Sequence, residues 1–436
     1  MSKYIYSLAL ILASLYSVAQ SSIIKSGPML GYAEMREALV WIQLKEAGTV
    51  KLRYWVSSES EPDFKWTEEV GTSPSTANTA KLYLRYLEPG TTYAYEVWVN
   101  DQKQSIEYPL LVSTEPLWDY RREPPSFKIA MGSCTYINEA AYDRPGEPYG
   151  ADYHIFESIH AKNPEAMLWL GDNVYLRPAD EWTRSGYLAR YSHTRALPEM
   201  QELLASCPNY AIWDDHDFGP NDASGSWIHK DLALEVFKLF WANPSYGFRD
   251  RPSTFSAFNF RDCDFIMLDN RFFRSEASEI YPDQMFGKEQ IDDMINLLKA
   301  SRAPFKFVLA GSQILNSAKV YENFSNYEEE RDYMLDRISD EKIQNVIFLT
   351  GDRHHSEVMK MDLESGYPVY EFTISPLTSG PNLNVKETNL YREKGSLIKQ
   401  RNFAVMEISG PRKKRQLELT FYDSNGDKIY FYEISE

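Results

Sequence analysis

Cysteine is scarce in this chain, with only Cys134, Cys207 and Cys263 among 436 residues. So few thiols exclude a disulfide-built scaffold, and an odd count leaves at least one unpaired. A Cys207–Cys263 bridge is neither required nor forbidden by the spacing. Positive charge is also short: 46 Lys and Arg face 63 Asp and Glu, a net of −17. That balance argues against unaided binding to nucleic acid or to anionic lipid, so an anionic substrate would have to be drawn in locally by a bound cation. Beyond the N-terminus no run is long and apolar enough to span a bilayer, and no stable membrane insertion is expected. Internal repeats and low-complexity tracts are missing too. Aromatic residues, at 14%, are plentiful enough to exclude a disordered chain.

The first residues carry one positive side chain, Lys3, then an apolar stretch from about Tyr4 to Tyr16, then Ser17-Val18-Ala19. This pattern reads as a secretory signal peptide over residues 1–19, cleaved after Ala19, so the protein is expected to be exported to the periplasm or secreted. From residue 20 to about 115, short runs such as Val50 to Val56 and Thr92 to Val99 are separated by Ser, Thr and Gly clusters, as in an all-β sandwich. Ala38-Leu39-Val40-Trp41-Ile42 is read as one of these alternating strands. The segment Leu87-Glu88-Pro89-Gly90-Thr91-Thr92-Tyr93 resembles the turn into a late strand of fibronectin type III domains. Residues 116–126, with Arg121-Arg122 and Pro124-Pro125, read as a linker.

From residue 127 to the end the pattern changes to α/β. Apolar strands alternate with helical stretches at Tyr153 to Ala161, Glu181 to Leu204, Asp231 to Trp241 and Lys288 to Ser301. The acidic stretch near Glu328 to Arg331 reads as a solvated helical face. Strands close the chain, the last two joined through Asn425-Gly426.

Four apolar runs in this region end in polar clusters: Gly132-Ser133-Cys134, Gly171-Asp172, Asp214-Asp215-His216-Asp217 and Gly351-Asp352-Arg353-His354. Ligands collect at the carboxyl ends of strands in layered α/β sheets, so four strand tips can bring acids, imidazoles, a thiol and a phenol into one crevice. Gly-Asp with Tyr175 three residues on is ordinary turn chemistry when taken alone. Three carboxylates around an imidazole are harder to explain, because they repel one another unless a cation or hydrogen bonds relieve them. Three of the seven histidines, His216, His354 and the adjoining His355, fall in or directly beside these clusters. Cys134, Asp172, Tyr175, Asp215, Asp352 and His354 supply donors for two adjacent cations. The thiolate, phenolate and imidazole suit a transition metal and the carboxylates a harder divalent ion. Such a pair can generate hydroxide near neutral pH and neutralise a phosphoryl group, which points to phosphate-ester hydrolysis.

The ordered set GSC, GDxxY, WDDHD with Asn221 shortly after, and LTGDRHxSE resembles the alkaline phosphatase D family of metallophosphoesterases. Leu268-Asp269-Asn270-Arg271, Gly311-Ser312-Gln313 and the Tyr187 to Tyr191 segment support the resemblance, although Asn270 stands where many relatives have Thr or Ser. It implies an α/β (α+β layered) metallophosphoesterase-like catalytic domain behind an N-terminal all-β fibronectin-III-like sandwich. It also implies Fe(3+) held by Cys134, Tyr175 and His354, with Asp172 bridging to a divalent cation. That second ion, Ca2+ by the resemblance with Mn2+, Mg2+ or Zn2+ as alternatives, would sit on Asp215 and Asp352 with Asn221 beside it. His216 would stabilise the transition state or protonate the leaving oxygen. Arg190, Arg271 and Arg353 are candidate phosphate contacts, each weighed against a structural role. One departure is that many relatives carry a twin-arginine export signal, whereas this N-terminus has no arginine pair, so its metals would be loaded outside the cytoplasm. The expected substrate is a small phosphate monoester or diester. A phospholipase-D-like action on lipid headgroups and a non-catalytic exported binding protein that uses the sandwich are the alternatives.

Overall fold

The computed structural model describes residues 22–278 and 281–435. The expected signal peptide lies outside the described residues. The chain begins with two antiparallel sheets. One has three strands in the order Ile24–Ala33, Glu37–Leu44, Thr79–Arg85; the other has Lys65–Trp66, Thr49–Val56, Thr92–Val99 and Gln102–Lys103. This division and order are those of a fibronectin-III-like sandwich. Thr49–Val56 and Thr92–Val99 alternate buried and less buried residues, as a strand with one face on a core must.

Glu37–Leu44 does not follow that alternation. Apart from Glu37 it is buried throughout, because its two faces enter different cores. Val40 and Ile42 pack into the sandwich, whereas Leu39 and Trp41 join the core of the following region. Trp41 donates its indole N–H to the Leu239 carbonyl at 2.8 Å, and Asn209 reaches back to the Leu30 carbonyl at 3.0 Å.

Two six-stranded mixed sheets form the rest. The first runs Asn209–Ile212, Ala166–Leu170, Phe127–Gly132, Asn402–Ser409, Gln416–Asp423, Lys428–Ser435; the second runs Ser256–Phe260, Cys263–Met267, Lys306–Ala310, Val346–Thr350, Pro368–Thr373, Glu357–Asp362. Phe127–Gly132, Ala166–Leu170 and Asn209–Ile212 are mutually parallel, as are Cys263–Met267, Lys306–Ala310, Val346–Thr350 and Pro368–Thr373. The sheets share one apolar core, in which Tyr210 of the first stacks on Phe258 of the second at 3.8 Å. Helices Lys288–Ala300 and Glu328–Asp340 cover the outer face of the second sheet.

Several sequence expectations need correction here. The stretch Glu181 to Leu204 is not one helix: Arg184–Arg195 ends before Pro198, and Gln201–Ser206 follows a short 3-10 turn, because proline cannot continue the hydrogen-bonded ladder. The acidic stretch after Glu328 is not wholly solvated. Glu330 is buried and accepts backbone N–H groups from Met285 at 2.6 Å and Gly287 at 2.6 Å. All three cysteines are free and buried, so the Cys207–Cys263 bridge is not formed.

Candidate metal centre

Six parallel strand ends converge on one crevice, each followed by a sharp polar turn: Cys134, Asp172, Asp214 with Asp215, Asn270 with Arg271, Gln313, and Asp352 with His354. The turns are unusual in their backbone. Cys134 (φ 61°), Asp172 (φ 52°), Asp352 (φ 68°) and His354 (φ 54°) all occupy the left-handed region. Non-glycine residues pay for that conformation, which persists where surrounding packing over-determines it and concentrates at functional sites. Two glycines make the convergence possible: a Cβ on Gly311 would lie 2.6 Å from Asp214 Cγ, and one on Gly351 would lie 2.5 Å from the Leu170 carbonyl oxygen.

Around Cys134 the donors crowd closely. Its Sγ is 3.6 Å from Asp172 Oδ2, and Ser375 donates its hydroxyl to the sulfur at 3.2 Å. The Tyr175 hydroxyl lies 3.1 Å from Asp172 Oδ2 and 3.1 Å from His354 Nε2. Cys134, Asp172 and His354 each offer a ligand atom within 4.8 Å of the others. Asp172 belongs to a second such group with Asp215 and His216. Its Oδ1 accepts the His216 backbone N–H at 3.3 Å, while the His216 ring lies 4.3 Å from the Tyr175 ring, tilted by 32°.

Asp352 extends the cluster on the far side with Asp214 and Glu322. The carboxylates of the WDDHD segment divide their work. Asp217 turns inward and takes backbone N–H groups of Asn173 at 3.1 Å and Asp214 at 3.0 Å, so it holds the turn together. Asp214 pairs with Arg271 and accepts Asn270 Nδ2 at 2.8 Å. Asp215 and His216 are left to face Asp172.

Burial dominates the electrostatics. It pushes Asp172 and Asp352 well above the ordinary carboxyl range, with neighbouring acids adding to the effect, and it raises the Tyr175 phenol and the Cys134 thiol. Asp214 is pushed up to about 7 by burial, against the pull of Arg271. Burial acts the same way on Asp215, but His216, Arg271 and the Asp222 N–H outweigh it and hold that carboxyl below its usual value. His354 is pushed down to about 4 by burial. Without a counter-charge, burial therefore disfavours the charged forms of Asp172, Asp352 and His354, and Asp215 is the exception. The residues fit cations well: Asp352 Oδ2 and Asp214 Oδ2 are buried and have no hydrogen-bond partner, as oxygens waiting for a ligand would be.

The three arginines expected as phosphate contacts are all buried and each is already paired with acids of the protein. Arg190 pairs with Asp180 at 2.8 Å and Glu139 at 2.9 Å, neither of them in the cluster. Arg271 is wedged between Asp214 and Glu322. Arg353 bonds Gln313 at 2.7 Å, Asn323 at 2.8 Å and Glu387 at 2.6 Å. Their surroundings match the structural role. Asn221 is exposed on the turn after Asp215, and His355 points away from its neighbour, buried 3.6 Å from Glu357. Sequence reasoning missed Glu322 and Tyr149, neither of which sits in a recognisable motif.

With this geometry in view, the comparisons agree. Residues 130–410 match the model of the PhoD-like phosphatase family, and residues 21–110 match a domain of unknown function (DUF7800). Alkaline phosphatase D of Bacillus subtilis is 23% identical over 355 residues, 71% of this chain; the match spans 60% of that curated relative's length. The solved structure of PhoD superposes with a TM-score of 0.76 at 17% identity, covering 94% of this chain and 89% of that one. A purple acid phosphatase from yellow lupin (Lupinus luteus) seeds does so with a TM-score of 0.67 at 12% identity, covering 94% of this chain and 74% of that one. The family match takes in every strand tip of the crevice from Cys134 to His354, and on that ground the chain belongs to the PhoD-like phosphatase family.

Proposed function

We propose that this chain is an exported, metal-dependent phosphoesterase that hydrolyses small phosphate monoesters or diesters. The observation that carries the reading is the position of Asp172, shared between a group containing Cys134 and His354 and a group containing Asp215 and His216. A buried carboxylate common to two donor sets is what a bridge between two cations requires. Cys134, Tyr175 and His354 would hold Fe(3+). Asp215 and Asp352, with Asn221 as a neighbour, would hold a divalent ion, Ca2+ before Mn2+, Mg2+ or Zn2+. When bound, the cations supply Lewis acidity toward a phosphoryl oxygen and make a water nucleophilic near neutral pH.

The protein's own residues do the rest. Asp172 fixes the spacing of the two donor sets, and Arg271 offsets the charge of Asp214 and Glu322, so that Asp172, Asp215 and Asp352 can coexist with them in one crevice. Cys134 and Tyr175 furnish the softer donors, held by Ser375 and by packing against Tyr136 at 5.0 Å. Burial holds the His216 imidazole below its usual value, and its ring rests on Tyr175. There a ring N–H would be donated to a phosphoryl or leaving oxygen. Export rests on the N-terminal sequence pattern alone.

The direct test is elemental analysis of natively expressed protein together with a screen of p-nitrophenyl phosphate, bis-p-nitrophenyl phosphate and phosphatidylcholine. Iron plus a divalent metal, with turnover of either nitrophenyl ester, is the expected result. Metal-free protein inactive on all three would sink the proposal, and turnover of phosphatidylcholine alone would redirect it to lipid headgroups.

A further inference from the structure

The irregular loop before Gly150 carries a tyrosine held more tightly than its exposure suggests. Tyr149 is 42% exposed, yet its hydroxyl lies 2.9 Å from His354 Nδ1. The same nitrogen lies 2.8 Å from the Gly380 carbonyl oxygen. A carbonyl only accepts, so Nδ1 carries the ring hydrogen and Nε2 keeps its lone pair. That lone pair faces the Tyr175 hydroxyl at 3.1 Å, on the side of Asp172 and Cys134.

Several independent contacts hold the phenol in place. Its ring meets Tyr136 edge to face at 5.0 Å and 80°. Gly150 donates its N–H to Asn138 Oδ1 at 2.9 Å, and Ala151 donates to the Thr378 carbonyl at 3.0 Å, anchoring the loop on its C-terminal side. Gly380 leaves room for the ring, since a Cβ there would lie 2.8 Å from Tyr149 Cε2. A surface tyrosine that only packed would not need its hydroxyl aimed at an imidazole nitrogen.

We propose that Tyr149 is a positioning residue for His354: it shares the Nδ1 hydrogen with the Gly380 carbonyl and so fixes the tautomer and ring orientation that present Nε2 to a metal. The inference rests on the reading of His354 as a ligand. Groups that accept the second N–H of a metal-bound histidine orient the ring and raise its basicity, and their loss costs roughly 10- to 100-fold in metal affinity or activity.

The test compares metal-loaded parent, Tyr149→Phe, Gly380→Ala and the double variant, by metal retained against a chelator, visible absorption, thermal unfolding and steady-state kinetics on p-nitrophenyl phosphate. Tyr149→Phe keeps the ring, so it should unfold like the parent and keep its KM, while losing metal roughly ten-fold more readily, shifting the visible band and lowering kcat. Gly380→Ala should displace the phenol and reproduce the loss, with the double variant no worse than either single one. Parent-like metal retention and an unshifted band in Tyr149→Phe would overturn the role of Tyr149 and leave the phosphoesterase reading intact. A parent that binds no metal at these residues would overturn both.

Discussion

The Tyr175 hydroxyl stands 3.1 Å from His354 Nε2, although 179 positions separate the two residues in the chain. One follows a strand of the first sheet and the other a strand of the second. The phenol–imidazole pair therefore joins the two sheets across the crevice, and a ligand shared by them would tie the sheets together at their mouth.

A phenolate bound to ferric iron absorbs visible light, so the concentrated protein should be coloured. Tyr175→Phe should lose that colour and keep its thermal unfolding temperature, because the ring still packs on Tyr136 and His216. Cys134→Ser should retain metal less well, since a hydroxyl is a harder, poorly ionising donor. A colourless, zinc-only parent with both variants fully metallated and active would refute the iron assignment.

Asp172→Asn should abolish hydrolysis and lower metal content while the fold survives, since an amide replaces the carboxylate shared by both donor groups. Metal analysis with circular dichroism and a nitrophenyl phosphate assay checks this. Full activity with unchanged metal would remove Asp172 from the bridging role.

His216→Ala should retain metal and lose about 10²- to 10⁴-fold in kcat, the usual scale for a positioned acid, base or donor. Parent-like turnover would return His216 to a structural role beside Tyr175.

Arg271→Met should cost about 3–5 kcal/mol in urea unfolding, because Asp214 would lose its guanidinium partner in a buried site and Glu322 would keep Arg274 alone. Arg184→Met, which breaks a surface pair with Glu235 and an exposed hydrogen bond to the Ser75 carbonyl, should stay within about 1 kcal/mol of the parent. Equal effects from the two would contradict the burial argument.

The crevice was legible because buried parallel strands write themselves as short apolar runs and their tips as Gly-Asp or Gly-Ser turns. Those signals located Cys134, Asp172, Asp215, Asp352 and His354. The sequence does not say which way a guanidinium points, so the carboxylate partners of Arg190, Arg271 and Arg353 are visible only in the folded chain. Glu322 lies in Val320-Tyr321-Glu322-Asn323, which carries no periodicity or motif, and Tyr149 is one of 30 tyrosines. Both acquire meaning only from residues far along the chain. The strand Glu37–Leu44 departs from the alternating pattern for a different reason, since an unbroken apolar run belongs to a strand with two buried faces.

Glu357 offers a pH test away from the proposed ligands. Burial alone would raise its carboxyl, but His355 and Arg392 hold it at about 2, against an ordinary 4.5. A depressed folded value means stability that is present above the unfolded value and lost as pH falls through the folded one. The shift corresponds to roughly 3 kcal/mol. Glu357→Gln should therefore show its full penalty at pH 6 and a smaller one at pH 3, by denaturant unfolding. A penalty independent of pH would show that the group acts through packing alone.

The sheet of Ile24–Ala33, Glu37–Leu44 and Thr79–Arg85, buried on both faces along its first two strands, bears on how this protein can be cut or recombined. Residues 116–126, which the sequence alone reads as a linker, would be the natural place to cut. Scission there would strip Met29, Leu39 and Trp41 from the neighbouring core, and each side chain returned to water would forfeit roughly 1.5–3 kcal/mol. Exchanging the sandwich for another would meet the same obstacle unless the newcomer brought matching side chains on its outward face. What passes for an appendage along the chain is, in packing, a wall of the core beside it, and the two parts are free to diverge only together.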